Sequence, residues 1–224
     1  MHSSGRKILT FDCYNTLVDT SPLTDALYNI AQQYSLQDEA SRLRDIFYRV
    51  EYDLMYGAAF FTLKELLARS LQAALQSFGV TAADHDAETL VDCYRAFAPF
   101  DDVSAVMEQL STRFDLYIMS NSDDDIISYN AKSIGVPFKH IFTAEQLRCY
   151  KPSIQFFEHV HGALHVDSQN HTHIAAGFWW DIIPGKQLHW RRIWVNRRGD
   201  TGDEQYQPYT EVHDFHRVLE VLAL

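Results

Sequence analysis

Two carboxylates and one lysine stand near points of the chain where an apolar run ends. Asp12 closes the segment KILTFD, Asp181 lies shortly after HIAAG, and Lys151 precedes Pro152. A carboxylate at a strand end can be aimed at a bound electrophile, and a nearby ammonium group keeps it ionised. We therefore predict covalent catalysis with Asp12 as the nucleophile. Asp181 is a second acid that could hold Lys151 in place or help to position water.

Three further polar side chains accompany this group. Thr16 lies one turn after Asp12, where its hydroxyl can hydrogen-bond and orient the carboxylate. Ser120 and Asn121 follow the apolar segment DLYIM and open a predicted helix. The free N–H groups and the positive dipole end of a helix N-terminus bind anions. We predict that Ser120 and Asn121 contribute to substrate binding.

Alternating strand and helix patterns are expected to position these residues. KILTF reads as a buried strand, and after Phe100 four more apolar segments alternate with helical stretches: DLYIM, HIFTA, HIAAG and RIWVN. This alternation predicts an α/β fold with a doubly wound parallel sheet. In such sheets the ligand lies beyond the carboxyl ends of the strands, where Asp12, Ser120 and Asp181 all fall.

A long helical region interrupts the strand pattern. Ser21 followed by Pro22 favours a helix start, Thr62 and Glu65 form a capping-box pattern, and Gly79 provides a stop. We predict an all-helical cap inserted into the core. The expected domains are an α/β core formed by residues 1–19 and 99–224 and a helical cap formed by residues 20–98. A final helix is expected from about residue 212.

Composition excludes several classes of partner. The 224-residue chain is 46% hydrophobic and 22% charged, with a net charge of −11 at pH 7. An acidic surface argues against nucleic acid and anionic membranes as partners, and no stretch is long and apolar enough to span a bilayer. Three cysteines without a tight spacing argue against a disulfide framework. A cytoplasmic location fits this reducing pattern best.

Eleven histidines raise the question of a metal site. His159, His161 and His165 lie close together in a helical stretch, and His171 and His173 flank a predicted strand. No HExxH motif and no Cys/His ligand spacing is present in the sequence. We therefore predict no metal ligands.

Four fragments carry a family resemblance: FDCYNTLVD, IMSNS, CYKPS and GFWWDIIPGKQ. In order and spacing they resemble the four motifs of the haloacid dehalogenase superfamily, across the whole core, with the helical insert where that family places its cap. The resemblance implies a Rossmann-like core and a hydrolase with an aspartate nucleophile. Dimers are common among related enzymes, and this analogy leaves a homodimer open.

The residue two positions after Asp12 distinguishes branches of this superfamily. Its phosphatases carry a second Asp there, which protonates the leaving alkoxide, whereas this chain has Tyr14. A halide leaves as a stable anion and needs no such acid, so Tyr14 favours attack at carbon. Tyr14 also resembles the DxYGT pattern of the 2-haloacid dehalogenases. The resemblance implies that Asp12 attacks C2 of a small 2-substituted carboxylic acid, (S)-2-haloacid dehalogenase-like, without a metal.

Some positions depart from the family pattern. Asn15 stands where the family usually has Gly. If this position needs a left-handed backbone, Asn is the non-glycine residue that tolerates it best. The segment before Asp181 lacks the Ser and Asn residues thought to handle the hydrolytic water. The cap arginine is not uniquely placed, with Arg44 and Arg49 both near and Arg49 taken as the substrate-binding candidate. Phe60 and Phe61 are candidates for the apolar wall of a halide pocket.

Three alternatives stay open. The sequence is similar to azetidine-2-carboxylate hydrolase in its FDCYGTL-like motif, which implies C–N cleavage of a strained ring. A Mg²⁺-dependent phosphatase of the same superfamily is the second alternative. A catalytically decayed binding protein is the third, favoured by Ala176 and Phe178.

Overall fold

A sheet of parallel strands forms the centre of the computed structural model, which describes residues 6–223. Residues 1–5 and 224, which the predicted core domain includes, lie outside the described residues. The strands are β1 (Ile8–Phe11), β2 (Asp115–Ser120), β3 (His140–Thr143), β4 (His171–Ala175), β5 (Arg191–Val195) and β6 (Thr210–Val212). Their order in the sheet is β3-β2-β1-β4-β5-β6, and every neighbouring pair is parallel. The predicted α/β fold with a parallel sheet is confirmed.

The strand order reverses between β1 and β4, which is where α/β proteins bind their ligands. Asp12 directly follows β1, and the segment that leads to Asp181 follows β4. The central strands β1, β4 and β5 are short runs whose side chains are nearly all buried on both faces, as expected for a parallel sheet covered by helices. The sheet therefore brings two of the predicted catalytic residues to its central crevice.

The α-helices account for most of the remaining regular structure. Between β1 and β2 lie α1 (Pro22–Gln33), α2 (Ala40–Met55), α3 (Leu63–Gln76), α4 (Asp84–Arg95) and α5 (Ser104–Arg113). After β2 come α6 (Asp124–Ile134), α7 (Ala144–Leu147), α8 (Ile154–Leu164), α9 (Ile183–Gln187) and α10 (His216–Val221). No helix within residues 6–223 is both long and apolar enough to cross a membrane.

The chain enters and leaves the region of α1–α4 through two adjacent segments. Val18 forms an antiparallel bridge with Pro99, and the Asp19 amide donates to the Ala98 carbonyl at 2.9 Å. The Phe100 amide donates in turn to the Leu17 carbonyl at 3.1 Å. The helical region thus begins and ends beside the loop that follows β1.

Helix α3 shows how this region is attached to the sheet. Its predicted capping box is confirmed, with the Thr62 amide donating to Glu65 at 2.7 Å. The next two amides, of Leu63 and Lys64, donate to the buried carboxylate of Asp123 at 2.7 and 3.0 Å. Asp123, which stands at the N-cap position of α6, thereby also caps the free amides at the start of α3.

Two local predictions are corrected. The sequence predicts a final helix from about residue 212. Residues Thr210–Val212 instead form edge strand β6, and α10 begins at His216. His171 and His173 lie inside β4 rather than flanking it. In both cases the segments are too short for their periodicity to distinguish strand from loop.

Helix α2 contains a partly buried glutamate, Glu51, with one buried carboxyl oxygen. The Oε1 atom of Glu51 is buried and has no hydrogen-bond partner in the part of the chain that the structure describes. Burial raises the pKa of Glu51 from 4.5 to about 7. A raised carboxyl pKa means that its stabilising contribution is complete below pH 4.5 and is lost as the pH rises through 7.

We predict that Glu51→Gln stabilises the protein at alkaline pH. Gln carries no charge to bury, so the variant escapes the loss that the wild type suffers between pH 5 and 8. The gain in free energy of unfolding should be small at pH 5 and reach on the order of 2 kcal/mol at pH 8. Urea denaturation at both pH values measures it, with the exposed Glu108→Gln as control. A gain independent of pH would contradict the assignment.

Candidate active site

The carboxylate of Asp12 lies at the end of β1 and faces a cavity of about 830 Å³. Its Oδ1 atom accepts a hydrogen bond from Lys151 Nζ at 2.8 Å, and its Oδ2 atom accepts one from Thr16 Oγ1 at 2.5 Å. Its residual exposure of 8% is on the cavity side, since Asp12 lines that cavity. Asp12 is therefore oriented by two donors while it remains accessible to a bound molecule.

The loop after β1 has the conformation that this orientation requires. Asn15 has a φ of 60°, so this position does adopt the left-handed backbone, which Asn tolerates better than most residues. The turn brings the amides of Thr16 and Leu17 to the Cys13 carbonyl, at 3.2 and 2.8 Å. The Thr16 hydroxyl donates to Asp12 and accepts from the Ala176 amide at 2.8 Å. Thr16 thereby joins the loop after β1 to the loop after β4.

Lys151 lies between two carboxylates. Its buried ammonium group donates to Asp12 at 2.8 Å and to Asp181 Oδ1 at 2.6 Å. Asn121 fixes the backbone beneath it, accepting from the Lys151 amide at 2.7 Å and donating to the Lys151 carbonyl at 2.9 Å. Asn121, predicted as a substrate-binding residue, lines the cavity and also holds the lysine in place.

Asp181 reaches the lysine from a short π-helical turn, Phe178–Ile182. The turn closes through the Asp181 amide, which donates to the Gly177 carbonyl at 2.9 Å. A Cβ atom at Gly177 would lie 2.5 Å from Asp181 Oδ2. Glycine is therefore required here by close approach of the carboxylate rather than by its backbone angles.

The buried charges shift one another's titration. Burial alone would lower the pKa of Lys151, but Asp12 and Asp181 outweigh it and raise that pKa above its ordinary value. Burial alone would raise the pKa of Asp181, but Lys151 and a hydrogen bond from His173 outweigh it and lower that pKa. Burial raises the pKa of Asp12 against the opposing effect of Lys151. Lys151 thus stays charged, and Asp181 stays ionised.

Tyr14 lines the cavity with its ring, while its hydroxyl group turns away from it. The hydroxyl is hydrogen-bonded to Ser122 Oγ at 2.8 Å and donates to Asn130 Oδ1 at 3.4 Å. The ring packs edge-on against Tyr94 and Phe97. Burial raises the pKa of Tyr14 well above its ordinary value, so the phenol is a poor proton donor.

Four predicted substrate-binding residues do not line the cavity. Ser120 is fully buried, and its Oγ has no hydrogen-bond partner within the described residues. Arg49 is exposed, because α2 turns its neighbour Tyr48 toward the cavity instead. Phe60 stacks on Tyr150 and lines a separate, smaller cavity, and Phe61 lies beneath Arg69. The structure therefore does not bring Arg49, Phe60 or Phe61 to Asp12.

Two arginines after β5 line the cavity and escaped the sequence analysis. The guanidinium of Arg197 pairs with both oxygens of Asp102, at 2.8 and 2.9 Å, and lies over the Phe100 ring. Arg198 is exposed and forms no ion pair within residues 6–223. Their position beyond the carboxyl end of a strand is the signal that could have identified them.

The cavity wall also includes Trp179 and Trp180. The Trp180 indole donates to the Tyr56 hydroxyl at 2.7 Å, and Tyr56 donates to the Lys151 carbonyl at 3.1 Å. Trp179 packs against Tyr52 and Tyr56. These contacts connect the end of α2 with both segments that supply Lys151 and Asp181.

The family of the chain follows from its sequence as a whole. A family model described as haloacid dehalogenase-like hydrolase matches residues 6–189, about four fifths of the 224 residues. The chain belongs to the haloacid dehalogenase-like hydrolases. A search of curated proteins found no match.

Solved structures share the fold over their full length. An L-2-haloacid dehalogenase is 18% identical with a TM-score of 0.82, covering 99% of this chain and 100% of that one. The L-2-haloacid dehalogenase of Xanthobacter autotrophicus with covalently bound chloropropionic acid is 14% identical, with a TM-score of 0.80 and coverages of 98% and 99%. A Bacillus subtilis protein described as a HAD-hydrolase bound to magnesium is 19% identical, with a TM-score of 0.82 and the same coverages.

We predict that Gly177→Ala lowers catalytic turnover by about 100-fold, because the new methyl group displaces the Asp181 carboxylate from Lys151. Steady-state kinetics measures the loss, and circular dichroism checks that the variant folds. Gly162→Ala is the matched control, since a Cβ there meets no atom within 4 Å. Equal turnover of the Gly177 and Gly162 variants would show that Asp181 does not need its present position.

Proposed function

We propose that this protein hydrolyses 2-haloacids, with Asp12 displacing halide from C2 and a 2-hydroxy acid as the product. The observation that carries the proposal is the pair of donors, Lys151 and Thr16, that orient Asp12 toward the cavity. The Xanthobacter autotrophicus structure with covalently bound chloropropionic acid supports it by analogy.

In the first step an Asp12 carboxylate oxygen attacks C2 of the substrate. The new C–O bond forms as the carbon–halogen bond breaks, and halide leaves with the bonding electron pair. Attack from the side opposite the leaving group inverts C2. Lys151 and Thr16 favour the ionised form of Asp12 and hold it in an attacking geometry.

In the second step water attacks the Asp12 carbonyl carbon of the ester. The bond between the Asp12 carbonyl carbon and the substrate oxygen breaks, the proton lost by the water is passed by Asp181 to that oxygen, and the 2-hydroxy acid departs. Asp181 is placed to accept the water's proton, because it lines the same cavity and is held ionised by Lys151. Asp12 returns to its initial state.

The phosphatase alternative is less well supported by the side chains present. A phosphate monoester needs an acid for its alkoxide, and the Tyr14 hydroxyl is committed to Ser122. The position between Asp12 and Asp181 is held by the Lys151 ammonium group. Within residues 6–223 no three His, Cys, Asp or Glu side chains are grouped to hold a metal ion. These residues do not fit Mg²⁺, and we propose a reaction without a metal cofactor.

The C–N hydrolase alternative meets the same difficulty. A strained amine must be protonated as it leaves, and Tyr14 is a poor donor because its pKa is raised well above the ordinary value.

The decayed-protein alternative draws on Ala176 and Phe178. Gly177 nevertheless provides the space that Asp181 occupies, and both bonds of Lys151 are formed. We therefore favour an active enzyme that breaks the carbon–halogen bond of a 2-haloacid.

A cytoplasmic location remains part of the proposal. Its support is that Cys13, Cys93 and Cys149 are all free thiols, as is usual in reducing compartments.

The central test is chloride release from (S)-2-chloropropionate in the presence of EDTA. Asp12→Asn should lower turnover at least about 10⁴-fold, as removal of a covalent nucleophile does in other enzymes. Single turnover in H₂¹⁸O should place ¹⁸O in the peptide that contains Asp12, and the Asp181 peptide is the internal control. Chloride release without label in Asp12 would exclude the ester. Bulkier 2-chloro acids should be included, because a cavity of about 830 Å³ exceeds what chloropropionate fills.

Recognition of the substrate carboxylate is assigned to Arg198 instead of Arg49. Lys151 and Arg197 already have carboxylate partners, whereas Arg198 lines the cavity without one among residues 6–223. We predict that Arg198→Ala raises KM roughly three- to tenfold with little change in kcat. Arg49→Ala, which changes an exposed arginine away from the cavity, should leave both constants unaltered. The reverse result would return the role to the helical region.

A further inference from the structure

A buried chain of hydrogen bonds runs behind Asp181, on the side away from the cavity. His171 Nε2 lies 2.7 Å from Thr10 Oγ1, and Thr10 Oγ1 lies 2.8 Å from His173 Nδ1. His173 Nε2 then lies 3.2 Å from Asp181 Oδ1, the oxygen that also accepts from Lys151. All five side chains are buried.

The register of the sheet creates this chain. Strands β1 and β4 are parallel neighbours, in which Ile8 is paired with His171 and Thr10 with His173. Side chains two residues apart share a face of a sheet, so both histidines flank the Thr10 hydroxyl. Phe157 and Trp190 cover the histidine rings from the same side. These side chains are buried, and among residues 6–223 the histidine rings and the Thr10 hydroxyl form side-chain hydrogen bonds only with one another and with Asp181.

The positions of the protons follow from the two ends of the chain. Asp181 is ionised and can only accept, so His173 Nε2 carries a proton and donates it. At the other end, His171 Nδ1 is buried without a partner in the described part of the chain. A buried bare nitrogen costs less than a buried unpaired N–H group, so the His171 proton lies on Nε2. His171 then donates to Thr10, and Thr10 donates to His173.

Every donor in this chain therefore points toward Asp181. The opposite direction would place an unpaired N–H group on His171 in an apolar environment, beside the Trp190 ring. Burial lowers the pKa of His171 well below its ordinary value, which agrees with a neutral ring there. The arrangement fixes one tautomer of His173 and does not function as a two-way proton relay.

We propose that His173 is a positioning residue for Asp181, locked in its Nε2–H tautomer by Thr10 and His171. The proposal rests on the proposed function for its kinetic consequence. His173 and Lys151 both bind Oδ1 of Asp181, and Oδ2 lies close to Gly177, which lines the cavity together with Asp181. With one oxygen held by two donors, the other is presented to the hydrolytic water. Asp12, the third charged group at this point, touches the same lysine.

The tautomer can be tested without any substrate. Long-range ¹H–¹⁵N correlation spectra distinguish the two ring nitrogens of a histidine, and His173→Gln identifies the His173 signals by their loss. We expect the His173 proton on Nε2, the nitrogen that faces Asp181. Thr10→Val removes the hydroxyl that donates to Nδ1 at nearly constant volume, so the Nδ1 signal should move to the shift of a ring nitrogen without a hydrogen bond, whereas Thr10→Ser should retain the wild-type spectrum. A ring protonated on Nδ1, alone or together with Nε2, would overturn the proposal.

The kinetic arm separates positioning from a general loss of structure. Because Asp181 acts on the ester, His173→Leu should slow ester hydrolysis at least about tenfold while ester formation changes little. The Asp12 ester should then accumulate and be visible by mass spectrometry of the intact protein. His173→Gln, which keeps an N–H donor, should recover part of the rate. Equal slowing of both steps, or no recovery with Gln, would assign His173 a packing role only.

The two proposals fail in different ways. If no ester forms on the wild-type protein, the proposed function is wrong, and the spectra still decide which His173 nitrogen carries the proton and whether Thr10 donates to the other. If the ester forms and His173→Leu does not accumulate it, the proposed function stands, and the positioning role is refuted.

Discussion

A single ammonium group buried between two carboxylates determines how the site must be constructed. A buried charge is tolerated only when it is paired and hydrogen-bonded, and Lys151 satisfies this through Asp12 and Asp181. Two carboxylates against one ammonium leave an excess negative charge, which other donors must offset. Thr16 supplies one to Asp12, and His173 supplies one to Asp181. The conformations of the loops after β1 and β4 therefore follow from the need to pair the buried charge of Lys151.

Features that depend on strand ends could be predicted from sequence. Asp12 follows an apolar run, and parallel strands place their carboxyl ends at one edge of the sheet. The nearness of Asp12 to Asp181 could therefore be predicted from sequence. The left-handed conformation of Asn15 is consistent with its residue type, since few residues other than Gly tolerate that conformation. The capping box at Thr62 is a local pattern within four residues. In each case the deciding interaction is encoded by a short segment.

Features that depend on distant partners or on rotation about a helix could not be predicted. Arg49 and Tyr48 are about 100° apart on α2, and only the packing of the helix decides which of them faces the cavity. The stacking partner of Phe60 is Tyr150, which is remote in the chain. The role of His173 needed the strand register, because β4 by itself reads as five buried residues. Short motifs carry no information about such contacts.

The bridge between Val18 and Pro99 has a consequence for how this protein could diversify. The region that contains α1–α4 starts and ends at adjacent backbone positions. With respect to the rest of the chain it is therefore equivalent to one long loop whose ends are fixed. Lengthening a closed loop adds little entropy cost, roughly 0.6 kcal/mol for each doubling. The region of α1–α4 can thus be enlarged, shortened or exchanged during evolution while the sheet and the group formed by Asp12, Lys151 and Asp181 keep their geometry.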